Sequence, residues 1–164
     1  MFGDAYIVFI LLAALASSLV YFQKERPSRF LFFFPVYLFT TFTVEYIAVR
    51  MSYKGINTIA LYNIFTAIEF VFYLWMFSQI IHHPVIKKFL YNCLWMYPVV
   101  FLMNRLFIQK GEQYHTLTAG LGSLLIVLAA IFYFYELFQS EKSVDLVREP
   151  SFWISSGLLF FYSC

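Results

Sequence analysis

Charged residues are scarce in this 164-residue chain, since Asp, Glu, Lys and Arg together make up only 12% of it. Soluble globular domains carry about a quarter charged residues. This deficit, together with 62% hydrophobic residues and a mean hydropathy of +0.76, excludes an ordinary water-soluble domain and predicts an integral membrane protein. The Lys and Arg residues are scattered rather than grouped, so no nucleic-acid-binding surface is predicted.

Cysteine and the usual catalytic motifs are also lacking. Cys93 lies in an apolar run and Cys164 ends the chain, which leaves neither a disulfide framework nor a Cys-x-x-Cys metal site. No phosphate-binding glycine loop, His-Glu-x-x-His helix or Gly-x-Ser-x-Gly elbow occurs. The adjacent His82 and His83 have no third ligand at metal-site spacing, and no histidine lies mid-span to ligate a haem. The sequence therefore predicts neither an enzyme nor a metal or cofactor site.

Long apolar runs are what the chain has in abundance. A helix of about 20 apolar residues crosses the ~30 Å hydrocarbon layer of a bilayer. The runs predict an all-α, polytopic transmembrane helical bundle, a single domain over residues 1–164 with five full spans and a short or incomplete sixth. These spans cover about 5–22, 30–49, 58–81, 89–108, 116–138 and 151–164. The last run would be only about 21 Å long, so we expect a half-span, a re-entrant segment or, preferably, a helix that the chain leaves incomplete.

The distribution of basic residues predicts the orientation. The first, third and fifth connections contain Lys24, Arg26, Arg29, Lys87, Lys88, Lys142 and Arg148. The other connections contain Arg50, Lys54, Arg105 and Lys110. Because excess Lys and Arg marks the cytoplasmic side, the N-terminus is expected outside.

Glu69 is the charged residue in the middle of the third apolar run. An ionisable group at membrane depth costs about 2.5 kcal/mol or more, so we expect Glu69 to face the bundle interior and to have a partner. Helical spacing places Tyr62, Thr66 and Tyr73 on the same face. The face suited to lipid comprises Leu61, Phe65, Ile68, Phe72 and Trp75.

A second polar face in the second span contains Glu45 and could pack against the Glu69 face. The two carboxylates form either a proton relay or, as the preferred interpretation, hydrogen bonds between helices. Arg105 is interpreted as an interface anchor, with pairing to Glu45 as the alternative. The candidate intramembrane polar cluster comprises Glu45, Glu69, Thr41, Tyr62, Asn63, Thr66, Tyr73, Asn104 and Arg105.

Small residues at four-residue spacing predict close helix packing. Ala13 and Ser17 form such a pair in the first span, and Ala14 and Ser18 form another. In the fifth span the packing residues are Ala119, Gly122 and Ser123, with Gly122 four residues after Thr118.

Several short patterns resemble a known group of proteins. They are Glu45-Tyr46, Asn63-x-Phe65 with Glu69-Phe70, and Pro150-Ser151-Phe152-Trp153-Ile154 followed by Gly157-Leu158-Leu159. In these the chain resembles Phe/Tyr-rich multi-pass membrane proteins of Bacteroidota-type bacteria, and its layout is similar to the seven-span regions of some bacterial sensor kinases. The resemblance implies an outside N-terminus and a further C-terminal part.

Three functions are compatible with these features. The preferred one is a non-enzymatic accessory or assembly subunit of a larger membrane complex, whose partners are the lipid bilayer and other membrane protein subunits. The second is a membrane-embedded sensing module that binds a small ligand or a proton. The third is a small transporter, disfavoured because the sequence has neither an internal repeat nor paired broken helices.

Overall fold

All regular structure is helical in the part of the chain that the computed structural model describes, residues 5–22, 28–109, 113–139 and 149–163. Its α-helices are α1 (Ala5–Ser18), α2 (Arg29–Tyr53), α3 (Ile59–Ile80), α4 (Pro84–Met103), α5 (Thr116–Gln139) and α6 (Pro150–Ser163). A 3-10 turn, Leu19–Phe22, extends α1, and a π turn, Asn104–Ile108, extends α4. The prediction of an all-α fold is confirmed.

Four helices are long and apolar enough to cross a membrane: α2, α3, α4 with its π turn, and α5. This is the character of an integral membrane protein. The apolar segment Tyr6–Phe22 is shorter, and α6 has only 14 residues. Spans at these two segments therefore stay predictions.

Two predicted loops are shorter in the structure than in the sequence analysis. The α2 helix continues to Tyr53, and α4 already begins at Pro84 rather than near residue 89. Hydropathy marks where the side chains stop being apolar, whereas the backbone continues as a helix until another signal ends it. Proline favours such a start, because the first turn of a helix has no partner for its N–H groups.

Gly55 ends α2. Its φ of 69° lies in the left-handed region that glycine adopts without a Cβ clash. The N–H of Ile56 donates to the carbonyl of Met51 at 3.0 Å, and the N–H of Gly55 donates to that of Ser52 at 3.0 Å. This pair of bonds is a Schellman motif, which satisfies the last carbonyls of the helix.

Contacts within the chain group into two compact units, residues 1–62 and 63–164. In the first unit α1 packs against α2, and Ile7 and Ala14, two helical turns apart on α1, are both buried. The single domain predicted for residues 1–164 stays a prediction, since neighbouring helices of one membrane domain also form such units.

In the second unit α5 packs against α6, and α3 contributes the largest buried side chains. The buried residues of α5 follow one stripe at helical spacing: Thr118, Gly122, Ile126, Ala129, Ala130 and Tyr133. On α3, Phe65 is buried whereas Ile68 is exposed, so the lipid face predicted for this helix was wrong at Phe65. A helix that is apolar all round gives no pattern to separate packed from lipid-facing positions.

Glu136, near the end of α5, fixes the turn between α3 and α4. Both of its carboxylate oxygens lie 3.0 Å from the backbone N–H of His82. The His82 Nδ1 is 3.7 Å from Oε1 of the same carboxylate. One side chain thus holds the end of α5 to the start of α4 within the second unit.

Candidate functional site

Glu45 is the acceptor of a small hydrogen-bond cluster in the first unit. The hydroxyl of Tyr6 on α1 donates to its Oε2 at 2.9 Å, and that of Tyr62 in the first turn of α3 donates to the same oxygen at 3.0 Å. Two phenol hydroxyls therefore stabilise one carboxylate oxygen by hydrogen bonds. Thr41 lies outside this cluster, because its hydroxyl donates to the Tyr37 carbonyl within α2 at 3.0 Å.

Asn63 forms a two-bond clamp in the second unit. Its Nδ2 donates to the carbonyl of Gln113 at 2.9 Å, and its Oδ1 accepts the N–H of His115 at 3.0 Å. Asn63 and His115 are both buried. The clamp therefore holds the chain entering α5 against α3, at the point where a helix start leaves backbone N–H groups without intrahelical partners.

The π turn carries the second asparagine of this region. The N–H of Gln109 donates to the carbonyl of Asn104 at 2.8 Å, which is the five-residue spacing of a π-helix. The Asn104 Nδ2 donates to Oε1 of Gln109 at 2.9 Å and, at 3.5 Å, to Oγ1 of Thr118. The hydroxyl of Tyr97 donates to the Thr118 carbonyl at 3.1 Å. We call Asn63, Tyr97, Asn104, Gln109, His115 and Thr118 the amide cluster.

His115 lies immediately before α5, outside the membrane-spanning helices. Its side chain is 3% exposed, it packs on Phe101 with ring centroids 5.3 Å apart, and its Nδ1 has no hydrogen-bond partner. Burial lowers the pKa of the imidazole below its usual value, and the Arg105 guanidinium lowers that pKa further, whereas a backbone hydrogen bond with Gln109 opposes the change. His115 is therefore neutral in the folded protein at neutral pH.

This lowered pKa predicts that acid destabilises the fold. Just below about pH 6.5 the histidine of the unfolded chain becomes protonated, whereas His115 in the folded protein remains neutral. The stability is therefore complete above about pH 6.5 and falls as the pH decreases toward the lower folded-state pKa, by at most about 1.4 kcal/mol per pH unit. Melting temperatures measured from pH 7.5 to pH 5 should decrease less for His115→Gln than for the unchanged chain. Identical pH profiles would contradict this prediction.

Glu69 lies among tyrosines of the second unit. The hydroxyl of Tyr162 on α6 is next to its carboxylate, and Tyr97 interacts with it electrostatically. The ring of Tyr73 lies 6.2 Å from that of Tyr162. Glu69 and Glu45 thus belong to different units, and each is next to phenol hydroxyls.

Thr66 and Asn63 line a crevice that Tyr97, Tyr114 and Ala119 also line. This crevice is too narrow for a water-sized sphere. No group of three His, Cys, Asp or Glu side chains able to hold a metal ion occurs within residues 5–22, 28–109, 113–139 and 149–163. The geometry at this crevice is thus one of packed side chains joined by hydrogen bonds.

Arg105 belongs to the π turn and is exposed, whereas the preceding Asn104 is buried. The predicted interface anchor is thus compatible with its position. Five basic residues used for the orientation lie outside the described residues: Lys24, Arg26, Lys110, Lys142 and Arg148. Cys164 lies outside them as well.

The small residues differ in what surrounds them. Gly122 is buried against the ring of Phe70. Ala119 and Ser123, on the same helix, are half-buried. On α1 two rows were predicted, Ala13 with Ser17 and Ala14 with Ser18; within the chain Ala14 is buried and Ala13 is exposed. One residue is a rotation of about 100° on a helix. The hydroxyls of Ser17 and Ser123 donate to carbonyls of their own helices, Ala14 at 2.8 Å and Ala119 at 2.9 Å.

Several members of the amide cluster were absent from the sequence-based candidates: Tyr97, Gln109, His115 and Thr118. Gln109, His115 and Thr118 lie at or next to helix ends, where polar residues are ordinary and give no signal. The one available signal was the spacing of Leu90, Tyr97 and Asn104, which are seven residues apart and are the buried positions of α4 and its π turn. No family model, curated protein or solved structure matches the chain.

Proposed function

We propose that the chain is a multi-pass integral membrane protein that acts as a non-enzymatic accessory or assembly subunit of a larger membrane complex. The observation that carries this proposal is the use of its intramembrane polar groups. Asn63, Tyr97 and Asn104 form hydrogen bonds with the backbone or side chains of neighbouring elements. Glu45 accepts hydrogen bonds from two phenol hydroxyls. Such bonds fix helices to one another, which is what a scaffold subunit needs.

The exposed side of α4 supports an assembly role. Trp95 is 78% exposed, and it lies near the middle of the membrane-capable segment Pro84–Ile108. Tryptophan in membrane proteins prefers the headgroup level at the helix ends, and it is also enriched at the centre of protein interfaces. An exposed tryptophan at mid-helix therefore fits a contact with another membrane subunit better than a contact with lipid.

The topology is part of the proposal. Five spans and a shorter sixth, with the N-terminus outside a bacterial cytoplasmic membrane, satisfy both the hydrophobic lengths and the excess of Lys and Arg in the first, third and fifth connections.

Purification in mild detergent, followed by mass spectrometry of the intact complex, tests the assembly role. We expect a partner subunit to travel with the chain in fixed stoichiometry, and Trp95→Ala to reduce the recovered partner several-fold. Phe89→Ala, which truncates an exposed aromatic residue near the start of α4, is the matched control and should retain the partner. A chain that purifies alone, or equal recovery with both variants, would contradict the proposal.

A sensing module is the second candidate, favoured by buried His115 with an unpartnered Nδ1 beside a π turn. A small ligand that raised the melting temperature of the chain, but not that of His115→Gln, would favour sensing over assembly.

A further inference from the structure

An apolar groove of about 320 Å³ lies between the end of α4 and the start of α5. Its walls include Val99 and Met103 on one side and Leu117 and Leu121 on the other, all four of them exposed. Both helices belong to segments that are apolar and long enough to cross a membrane. Within a bilayer the groove therefore opens to hydrocarbon.

Hydrocarbon is the material that fits these walls. An unfilled space leaves its lining atoms without dispersion contacts on one side. Water is disfavoured there because it needs two to four polar partners, and the walls named above offer none. The body of any occupant is therefore an apolar chain.

Polar atoms occur at one place along the groove, at Asn104 and Thr118. Asn104 is 2% exposed, and its Nδ2 is already bonded to Gln109 and Thr118. Its Oδ1 is buried and has no hydrogen-bond partner. A buried acceptor in this state loses its hydration without compensation, and a donor on the occupant would supply the missing bond.

The order of polar and apolar positions matches an amphiphile. Asn104 begins the last turn of the segment Pro84–Ile108, and Thr118 is in the first turn of α5. Both therefore lie at an end of their helices, where lipid headgroups begin. Val99 and Leu121 lie further from these ends, toward the hydrocarbon. A ligand with its polar head at Asn104 and its chain along Val99 and Leu121 would be oriented like the lipids of the surrounding leaflet.

We propose that this groove binds a membrane lipid with a neutral hydrogen-bond donor, whose single hydrocarbon chain lies along Leu117 and Leu121 and whose hydroxyl or amide N–H donates to Oδ1 of Asn104. The site requires membrane insertion of α4 and α5, and it goes beyond the assembly role because it requires no protein partner. Met103 also lines the groove, and its flexible side chain allows this lining to rearrange around the donor.

A long-chain fatty alcohol with a photoreactive diazirine in its chain tests the site on the full chain in phosphatidylcholine nanodiscs. We expect labelling to map to peptides of α4 and α5. Leu121→Trp, which fills the groove, should reduce this labelling about fivefold or more, and Leu117→Trp serves as a second variant should the first not fold. Ile131→Trp, at an exposed position of α5 about 15 Å beyond Leu121 along the helix and outside the groove, is the control and should label like the unchanged chain.

The methyl ether of the same probe tests the hydrogen bond, since it has the chain but lacks the donor. Loss of one hydrogen bond corresponds to about fivefold weaker binding, so the ether should label correspondingly less. Equal labelling by alcohol and ether would overturn the role of Asn104. Labelling that is unchanged in Leu121→Trp and Leu117→Trp, or equally reduced in Ile131→Trp, would overturn the site itself.

Discussion

Gly122→Ala is expected to destabilise the second unit by about 1–3 kcal/mol, the usual cost of overpacking a filled interior. A Cβ at this position would lie 2.5 Å from Cδ2, 2.6 Å from Cγ and 2.7 Å from Cε2 of Phe70. Phe70 is itself buried, and the rings of Tyr97 and Tyr162 lie 5.6 and 5.5 Å from it. A Cβ at residue 122 therefore requires the buried ring of Phe70 or the α5 backbone to shift.

Gly120→Ala is the matched control, because a Cβ there would meet no atom within 4 Å. It should be neutral or slightly stabilising, since alanine favours helix more than glycine does. Thermal unfolding in one detergent measures both variants. Combining Gly122→Ala with Phe70→Leu, which removes the opposing ring, should recover part of the loss. Equal melting temperatures for Gly120→Ala and Gly122→Ala would show that the two helices are not in close contact at Gly122.

Asn63→Ala is expected to lower the free energy of unfolding by about 2–4 kcal/mol. The variant removes both bonds of the clamp and leaves the buried N–H of His115 without its acceptor, which alone costs about 1–3 kcal/mol. The carbonyl of Gln113 is less affected because this residue is exposed and water can replace the lost donor. Hydrogen exchange at the first turn of α5 should accelerate together with the loss of thermal stability.

Asn57→Ala provides a comparison within the same chain. Asn57 Oδ1 accepts the N–H of Ile59 at 2.9 Å at the start of α3, in an exposed position. Loss of such a cap costs about 1 kcal/mol. If Asn63→Ala lowered the stability no more than Asn57→Ala does, the clamp would not be what holds the start of α5.

Asn63 and Asn104 were predictable as members of a polar cluster because an amide in an apolar run is a conspicuous exception. Their partners were not predictable. His115 and Gln109 lie in or next to the connection between α4 and α5, where polar residues need no special explanation. Which backbone group an amide bonds depends on how far each helix extends, and hydropathy misplaced the start of α4 by about a helical turn.

The same limit applies to packing faces. Gly122 was identified from its spacing to Thr118, and the structure places it against Phe70. The identical argument selected both Ala13 and Ala14 on α1, and of these two only Ala14 is buried. Spacing by four residues defines a row along a helix, but it does not say which of two adjacent rows faces the neighbour when both contain small residues.

The sequence by itself determined that the chain is helical and has the composition of a membrane protein, because hydrophobic length and the scarcity of charge act locally and without regard to partners. Only the tertiary structure decided which polar groups meet: Glu45 with Tyr6 and Tyr62, Asn63 with Gln113 and His115. A hydrogen bond requires two atoms within about 3 Å in the right direction, and residues up to 54 positions apart in the chain, His82 and Glu136, satisfy that condition only after the helices have packed.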